Sequence, residues 1–259
     1  MIYKQTGCRS NVVSASNTDK TALEAIANAF VPTIEQETNI NSYKVKEMLC
    51  FISGEITPNK DGSYTRNDNN LKSRDLIVID IEDTGLTSKE VQAIIQEKLS
   101  SYKYLLYSSI SHKPNNPRLR LVIEPNREIL KEEYKPTIQH IMALLELNYD
   151  RSSFTWSQVQ GLPIAVRENE HIFIKKLDGL PYPVQEASKE EKKVISNYHK
   201  ASTSTTDIKL SDEDFKELFL RYLELDYVNI HTKDNEEYNR ALGILLSLAR
   251  DVCYNIISY

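Results

Sequence analysis

Residues 76–82 read LIVIDIE, and no other stretch of the chain restricts its fold as tightly. Leu76 to Ile79 are uninterruptedly apolar, and three of the four are β-branched. A short run of this kind, bounded by turn residues, is a strand buried on both faces, and it predicts a central position in its sheet. Side chains two apart share a strand face, so Asp80 and Glu82 point together while Asp83 belongs to the following Thr-Gly turn. The acids either close the strand or hold something.

The flanking pattern is that of a mixed α/β domain reaching to about residue 182. DKTALEAIANAF (19–30) has helical spacing, with Asp19 or Thr18 as its cap, and TSKEVQAIIQEKL (87–99) is a capped amphipathic helix. MLCFISGEI (48–56), YKYLLYSS (102–109) and RLRLVIEP (118–125) read as strands, with VQGLPI (159–164) and HIFIKKL (171–177) as shorter ones. Residues 57–74 read as polar loop with a turn at Asp61-Gly62. The stretch 127–147 is helical, and Pro136 kinks or splits it. Residues 183–209 are polar and Ser/Thr-rich, a linker. Beyond them, 211–225 and 235–257 carry helical apolar spacing and form a small helical domain over 210–259. The last helix ends almost where the chain does, which suggests a piece of a longer polypeptide. No internal repeat is evident.

Charge narrows the choice of partners. The formal net charge of the 259 residues is −5, so no global basic field advertises nucleic acid or an anionic membrane. Residues 186–259 carry 10 Lys/Arg against 14 Asp/Glu, which leaves the earlier part close to neutral. A phosphate site must therefore be a local basic cluster, expected in that earlier part. The cysteines Cys8, Cys50 and Cys253 lie far apart without C-x-x-C spacing, against a zinc site or disulfide framework. With no signal core and no long apolar span, the expected location is the cytoplasm.

Three segments carry potential chemistry. The first is Asp80 with Glu82: hard oxygen ligands on one strand face suit Mg²⁺ or Mn²⁺. The second is SSISHKPNNPRLRLVI (108–123), whose hairpin loop holds Ser109, Ser111, His112 and Lys113 and whose returning strand places Arg118 and Arg120 on one face. Arginine forks match phosphate oxygens, and hydroxyls and imidazole add donors. The plainer account is a cross-strand charged face with a solvated loop histidine. The third is Asp150 in LNYDRSSFTWSQVQGLP, which equally well starts a turn or caps a helix. Trp156 reads as a core anchor rather than a base-stacking platform.

Taken in order, RNDNNLKSRDLIVIDIE, YSSISHKPNNPRLRLVIEP and LNYDRSSFTWSQVQGLP resemble the archaeo-eukaryotic primase superfamily, in particular the primase–polymerase domains of phage, plasmid and mobile-element replication proteins. The likeness covers about residues 45–182. It implies an α+β fold with an RRM-like sheet that carries the acids beside a smaller N-terminal α/β module. It implies that Asp80, Glu82 and Asp150 hold divalent metals. Ser111, His112, Arg118 and Arg120 are implied to bind the nucleotide's triphosphate. Arg66, Asn69 and Ser73 would then lie near nucleotide or template. Gln158 stands where many relatives carry an arginine, and no zinc-binding cysteine set is present.

The expected activity is DNA-templated nucleotidyl transfer, synthesising primers from nucleoside triphosphates on single-stranded DNA, with Mg²⁺ or Mn²⁺ as cofactor and a replicative helicase as a further partner. The rival from another class is a catalytically inactive DNA-binding module of a replication initiator that recruits, or is fused to, a helicase. A metal-dependent nuclease fits the acids but lacks a lysine one residue beyond Glu82. Replication endonucleases of the His-x-His type are disfavoured because no such pair occurs.

Overall fold

Alternation along LIVIDIE sends its side chains into two different cores, and the rest of the architecture follows from that division. The computed structural model describes residues 1–16 and 19–186, all within the first of two units, Met1–Tyr198 and His199–Tyr259. Nearly all of the expected linker, both C-terminal helices, Cys253 and the cap at Thr18 lie outside the described residues.

In chain order the elements are β1 (Ile2–Thr6), β2 (Val12–Ser16), α1 (Ala22–Ala27), β3 (Thr33–Ile34), α2 (Ile40–Lys46), β4 (Leu49–Ser53), β5 (Glu55–Ile56), β6 (Tyr64–Thr65), β7 (Leu71–Ser73) and β8 (Ile77–Ile81). Then come α3 (Ser88–Lys98), β9 (Tyr104–Ser108), β10 (Leu119–Ile123), α4 (Lys131–Leu145), a 3-10 turn (Arg151–Phe154), β11 (Gln160–Gly161), β12 (Ala165–Val166) and β13 (Phe173–Lys176). An antiparallel sheet of order β11-β4-β1-β2-β6 stands beside a second antiparallel sheet of order β13-β9-β10-β8. The second sheet is built by a βαββαβ run, β8-α3-β9-β10-α4-β13, and the whole is α+β.

On one face of the second sheet, Ile77, Ile79, Ile81, Leu106, Leu119 and Leu121 pack with Val91 and Ile95 of α3 and with Ile138 and Ile141 of α4. On the other, Leu76, Val78, Leu105, Tyr107 and Val122 meet Ile2 and Phe51 of the first sheet and Leu23 and Ile26 of α1. Both faces of β8 are thus dry, as its composition demands. Its expected central position is not what forms: β8 is the outer strand, beside β10 alone. The exposed edge is partly covered by a bridge from Tyr149 to Ile81, which protects its open backbone groups. Two-sided burial comes from layers above and below, so it does not require strands on both sides.

Helix ends follow side-chain chemistry. Thr21 and Thr87 each accept from the third backbone N–H of their helices and receive Glu24 and Glu90 in return, two reciprocal capping boxes. For α1 this moves the cap from the expected Asp19 to Thr21. Helix α4 runs through Pro136 unsplit. Proline removes the donor that would reach the Glu132 carbonyl, and beside it the Thr137 hydroxyl donates to the Glu133 carbonyl at 2.7 Å. The stretch read as loop, 57–74, contains the short strands β6 and β7, and β5 pairs with β7. Trp156 is buried, its Nε1 donating to the Leu71 carbonyl at 3.1 Å, a core anchor as expected.

Gly54 links β4 to β5 with φ +120°, and a Cβ there would fall 1.7 Å from the Ser73 carbonyl oxygen. Gly54→Ala is therefore expected to destabilise the protein by at least about 2 kcal/mol through left-handed strain and a backbone collision. Urea unfolding of the variant measures the loss.

Candidate nucleotide and metal site

The strand register sets the site's geometry. Arg120 on β10 lies directly opposite Asp80 on β8 and Tyr107 on β9, so the three side chains form a row across one sheet face. Arg120 Nε donates to Asp80 Oδ1 at 2.7 Å, and its Nη1 donates to the Gly161 carbonyl at 2.8 Å. The Tyr107 hydroxyl donates to that same carbonyl at 2.9 Å. Burial opposes charge on the guanidinium, yet the Asp80 carboxylate and Tyr107 oxygen hold Arg120 more firmly protonated than an ordinary arginine. A Cβ at Gly161 would sit 3.3 Å from Arg120 Nη1 and 3.0 Å from Met48 Sδ, which is why glycine suits the approach of β11.

One step along the sheet the pattern repeats. Arg118 Nη1 lies 3.0 Å from Glu82 Oε2. The Arg118 side chain is 39% exposed whereas that of Arg120 is 13% exposed, so Arg118 is the arginine able to take another partner. The cross-strand charged face expected as the plainer account is present. It consists of two Asp/Glu–Arg pairs in register.

Asp150 arrives from sixty-eight positions beyond Glu82 in sequence but docks directly on the acidic strand. Its backbone N–H donates to the Asp80 carbonyl at 2.8 Å, while the Asp80 N–H donates to Ser153 Oγ at 3.0 Å. Its carboxylate caps the 3-10 turn: Oδ1 accepts from the Ser152 N–H at 2.8 Å and Oδ2 from the Ser152 hydroxyl at 2.7 Å. The capping account of Asp150 is thus observed, and so is its proximity to the other acids. Burial raises the Glu82 carboxyl above its usual value; Arg118 opposes the shift, and the negative charges of Asp150, Asp83 and Asp80 add to it.

His112 sits elsewhere than expected. The ring is buried, with Nδ1 accepting from the Arg118 N–H at 3.2 Å and Nε2 at 3.1 Å from Glu170 Oε2. An acceptor role at Nδ1 places the hydrogen on Nε2, directed at the carboxylate. Glu170 also accepts from the Ser88 hydroxyl, and that bond, ahead of His112, holds its carboxyl below the usual value. As folded, both nitrogens of His112 have protein partners, so the solvated loop histidine of the plainer account is overturned. His112 fixes the backbone at Arg118 instead. Glu170 and Asn169, whose Nδ2 donates to the His112 carbonyl at 2.7 Å, complete this support; nothing in the local sequence singled them out.

Ser111 makes a contact between the two layers. Its Oγ accepts from Lys44 Nζ at 3.0 Å, a lysine of α2 that lies outside the three motif segments. Of the residues expected near template, Arg66 is committed to Gln5, Ser10, Asn11 and Ser157. Ser73 is buried, and Asn69 is exposed.

Among the described residues, no three His, Cys, Asp or Glu side chains form an assembled metal-binding group. The donor set nevertheless fits a hard divalent cation in kind: Asp80 and Glu82 are carboxylates on one face, and Asp150 lies close enough for its charge to act on Glu82. No described helix is long and apolar enough to cross a membrane.

Comparison with known proteins places this geometry in context. Residues 31–183 match the VapE N-terminal domain. The chain belongs to the VapE N-terminal domain family. No curated protein matches it. Among solved structures, it is similar to the AEP domain of the cyanophage S-2L primase–polymerase, at 13% identity and a TM-score of 0.37, over 58% of this chain and 70% of that one. A likeness at that level carries no residue assignment. The architecture is α+β, the fold class expected from the motifs.

The raised Glu82 carboxyl has a consequence for stability. An acid whose folded value exceeds its unfolded value favours the folded state most when protonated, and stability falls as pH rises from the unfolded to the folded value. Glu82→Gln is therefore expected to be more stable than the parent above that window and to lose the advantage below about pH 4.5. Urea titrations at pH 4 and pH 8 check the sign.

Proposed function

We propose that the VapE-family domain is a DNA-templated nucleotidyltransferase that synthesises primers, acting on nucleoside triphosphates with single-stranded DNA as template. One observation supports this reading above the rest: two in-register carboxylate–arginine pairs lie where a third, sequence-distant carboxylate adds its field. Such an arrangement offers acids to cations and arginines to phosphates at one sheet end.

In the proposed reaction, a 3′-hydroxyl gives up its proton to water and attacks the α-phosphate of an incoming nucleotide; the new O–P bond forms as the bond to the β-phosphate oxygen breaks, and pyrophosphate leaves. Asp80 and Glu82, with Asp150, would hold Mg²⁺ or Mn²⁺, which would lower the hydroxyl's pKa and neutralise charge on the leaving group. Arg118, the more exposed arginine, would turn from Glu82 to the triphosphate as the acid takes its cation. Arg120 would remain against Asp80 and Gly161 as fixed positive charge. His112, held by Glu170, would keep the Arg118 backbone in place. A replicative helicase, as a fused domain or separate partner, belongs to this same proposal.

A second reading has its own support. Asp150 gives both carboxylate oxygens to Ser152, and the other two acids are already paired with arginines, as a domain that only binds DNA would tolerate. The two readings part on ligand response. Nucleotide with Mg²⁺ should raise the thermal midpoint of an enzyme by mass action, whereas a binding module responds to single-stranded DNA alone.

Asp80→Asn is the informative substitution, because it keeps an acceptor for Arg120 Nε that Asp80→Ala would remove, and urea unfolding run beside the assay separates folding from catalysis. The expected result is a folded protein whose nucleotide incorporation on single-stranded DNA drops by at least about a hundredfold. Parental incorporation by Asp80→Asn would remove Asp80 from the chemistry.

A further inference from the structure

The basic side of the site contains a cation that the strand motifs do not supply. Lys44 comes from α2, packed with the first sheet, yet its ammonium reaches the hairpin loop of the second sheet and donates to Ser111 Oγ at 3.0 Å. It is half-buried, whereas Lys46 on the same helix is exposed. Burial lowers its pKa first, and the positive charges of Arg118 and Arg120 lower it further, against smaller opposing contributions from Cys8 and Asp80. Three cations from two layers therefore share one region.

Their partners differ. Arg118 is paired with Glu82 and Arg120 with Asp80, but among the described residues no carboxylate lies within ion-pair distance of Lys44 Nζ. A partly desolvated ammonium in the field of two guanidinium groups, with a hydroxyl as its hydrogen-bond partner and only the weaker opposing influence of Cys8 and Asp80, gains from an arriving anion. Ser111 accepts from Lys44, so its own O–H is left to donate outward to the same anion.

The position of Lys44 is built in. The Cys8 N–H donates to the Lys44 carbonyl at 2.9 Å. Gly7, at φ +73°, lets the β1–β2 turn press so close to α2 that a Cβ would lie 2.0 Å from the Val45 carbonyl oxygen. The helix end that carries Lys44 is thus clamped from below.

We propose that Lys44 and Ser111 form an anion subsite, completed by Arg118, that grips the terminal phosphates of the incoming nucleoside triphosphate. This deepens the nucleotidyltransferase reading and rests on it for the identity of the ligand. A point-charge ammonium, a hydroxyl and a guanidinium fork together match a polyphosphate, which presents several oxygens of high charge density. The subsite also makes the N-terminal layer part of the nucleotide site rather than a support for it.

The test uses inorganic tripolyphosphate without divalent metal, titrated calorimetrically into the full chain and into Lys44→Ala, Lys44→Gln and Lys44→Arg. Lys44→Gln keeps a donor toward Ser111 and guards against a folding artefact. The expected result is a loss of about tenfold or more in tripolyphosphate affinity for Ala and Gln, the scale of a charge-assisted hydrogen bond, with substantial recovery in Arg. In incorporation assays the same variants should raise KM for nucleotide with little change in kcat. Unchanged tripolyphosphate affinity in folded Lys44→Ala, or no binding by the parent, overturns the subsite. A loss confined to single-stranded DNA affinity also overturns it, in favour of a template phosphate contact. If the parent binds tripolyphosphate through Lys44 yet incorporates no nucleotide, the subsite stands and the polymerising reading fails.

Discussion

The Asp80–Arg120 pair is the contact on which the rest of the site depends. Arg120 is largely withdrawn from water between the two sheets, and a guanidinium there needs a counter-charge and acceptors. Asp80 supplies the charge, and the Gly161 carbonyl supplies an acceptor from the other layer. The pair consequently does two things at once. It neutralises a buried cation, and it ties β11 of the first sheet to β10 of the second, so the distance between the layers is set at the very place where the acids and bases meet.

Around that tie the charges are arranged for exchange. Glu82 and Arg118 repeat the pairing nearer to solvent, where an arginine can change partners at lower cost. Asp150 adds negative charge from the far side of β8, and Lys44 adds positive charge from α2. Each group comes from a different element, and each is held by backbone contacts that do not depend on a ligand: Asp150 on the Asp80 carbonyl, Lys44 under the Cys8 N–H, Arg118 on the buried His112. Preorganisation of this kind suits chemistry that is mostly positioning and electrostatics.

Much of the second sheet was legible. LIVIDIE, YKYLLYSS and RLRLVIEP announced strands by their β-branched and aromatic runs, and TSKEVQAIIQEKL announced a helix by its cap and amphipathic spacing. The face shared by Asp80 and Glu82, and that shared by Arg118 and Arg120, followed from strand periodicity. Less visible were β1 and β2, and the pairs β6 and β7, because strands of two to five residues with mixed polarity carry little pattern. Helix α2 escaped for a related reason: it buries no residue, so its sequence has no apolar face to show.

By itself the sequence determined which strand would be dry on both sides, that Asp80 and Glu82 would share one strand face and Arg118 and Arg120 another, and where α3 would start, since each rests on local periodicity or capping chemistry. Only the tertiary structure decided that β8 lies at the edge of its sheet, that His112 turns inward to Glu170, and that Lys44 reaches Ser111 across sixty-seven positions. Those outcomes depend on strand order and on the approach of two layers, and non-local contacts of that kind leave no periodic trace in a single chain.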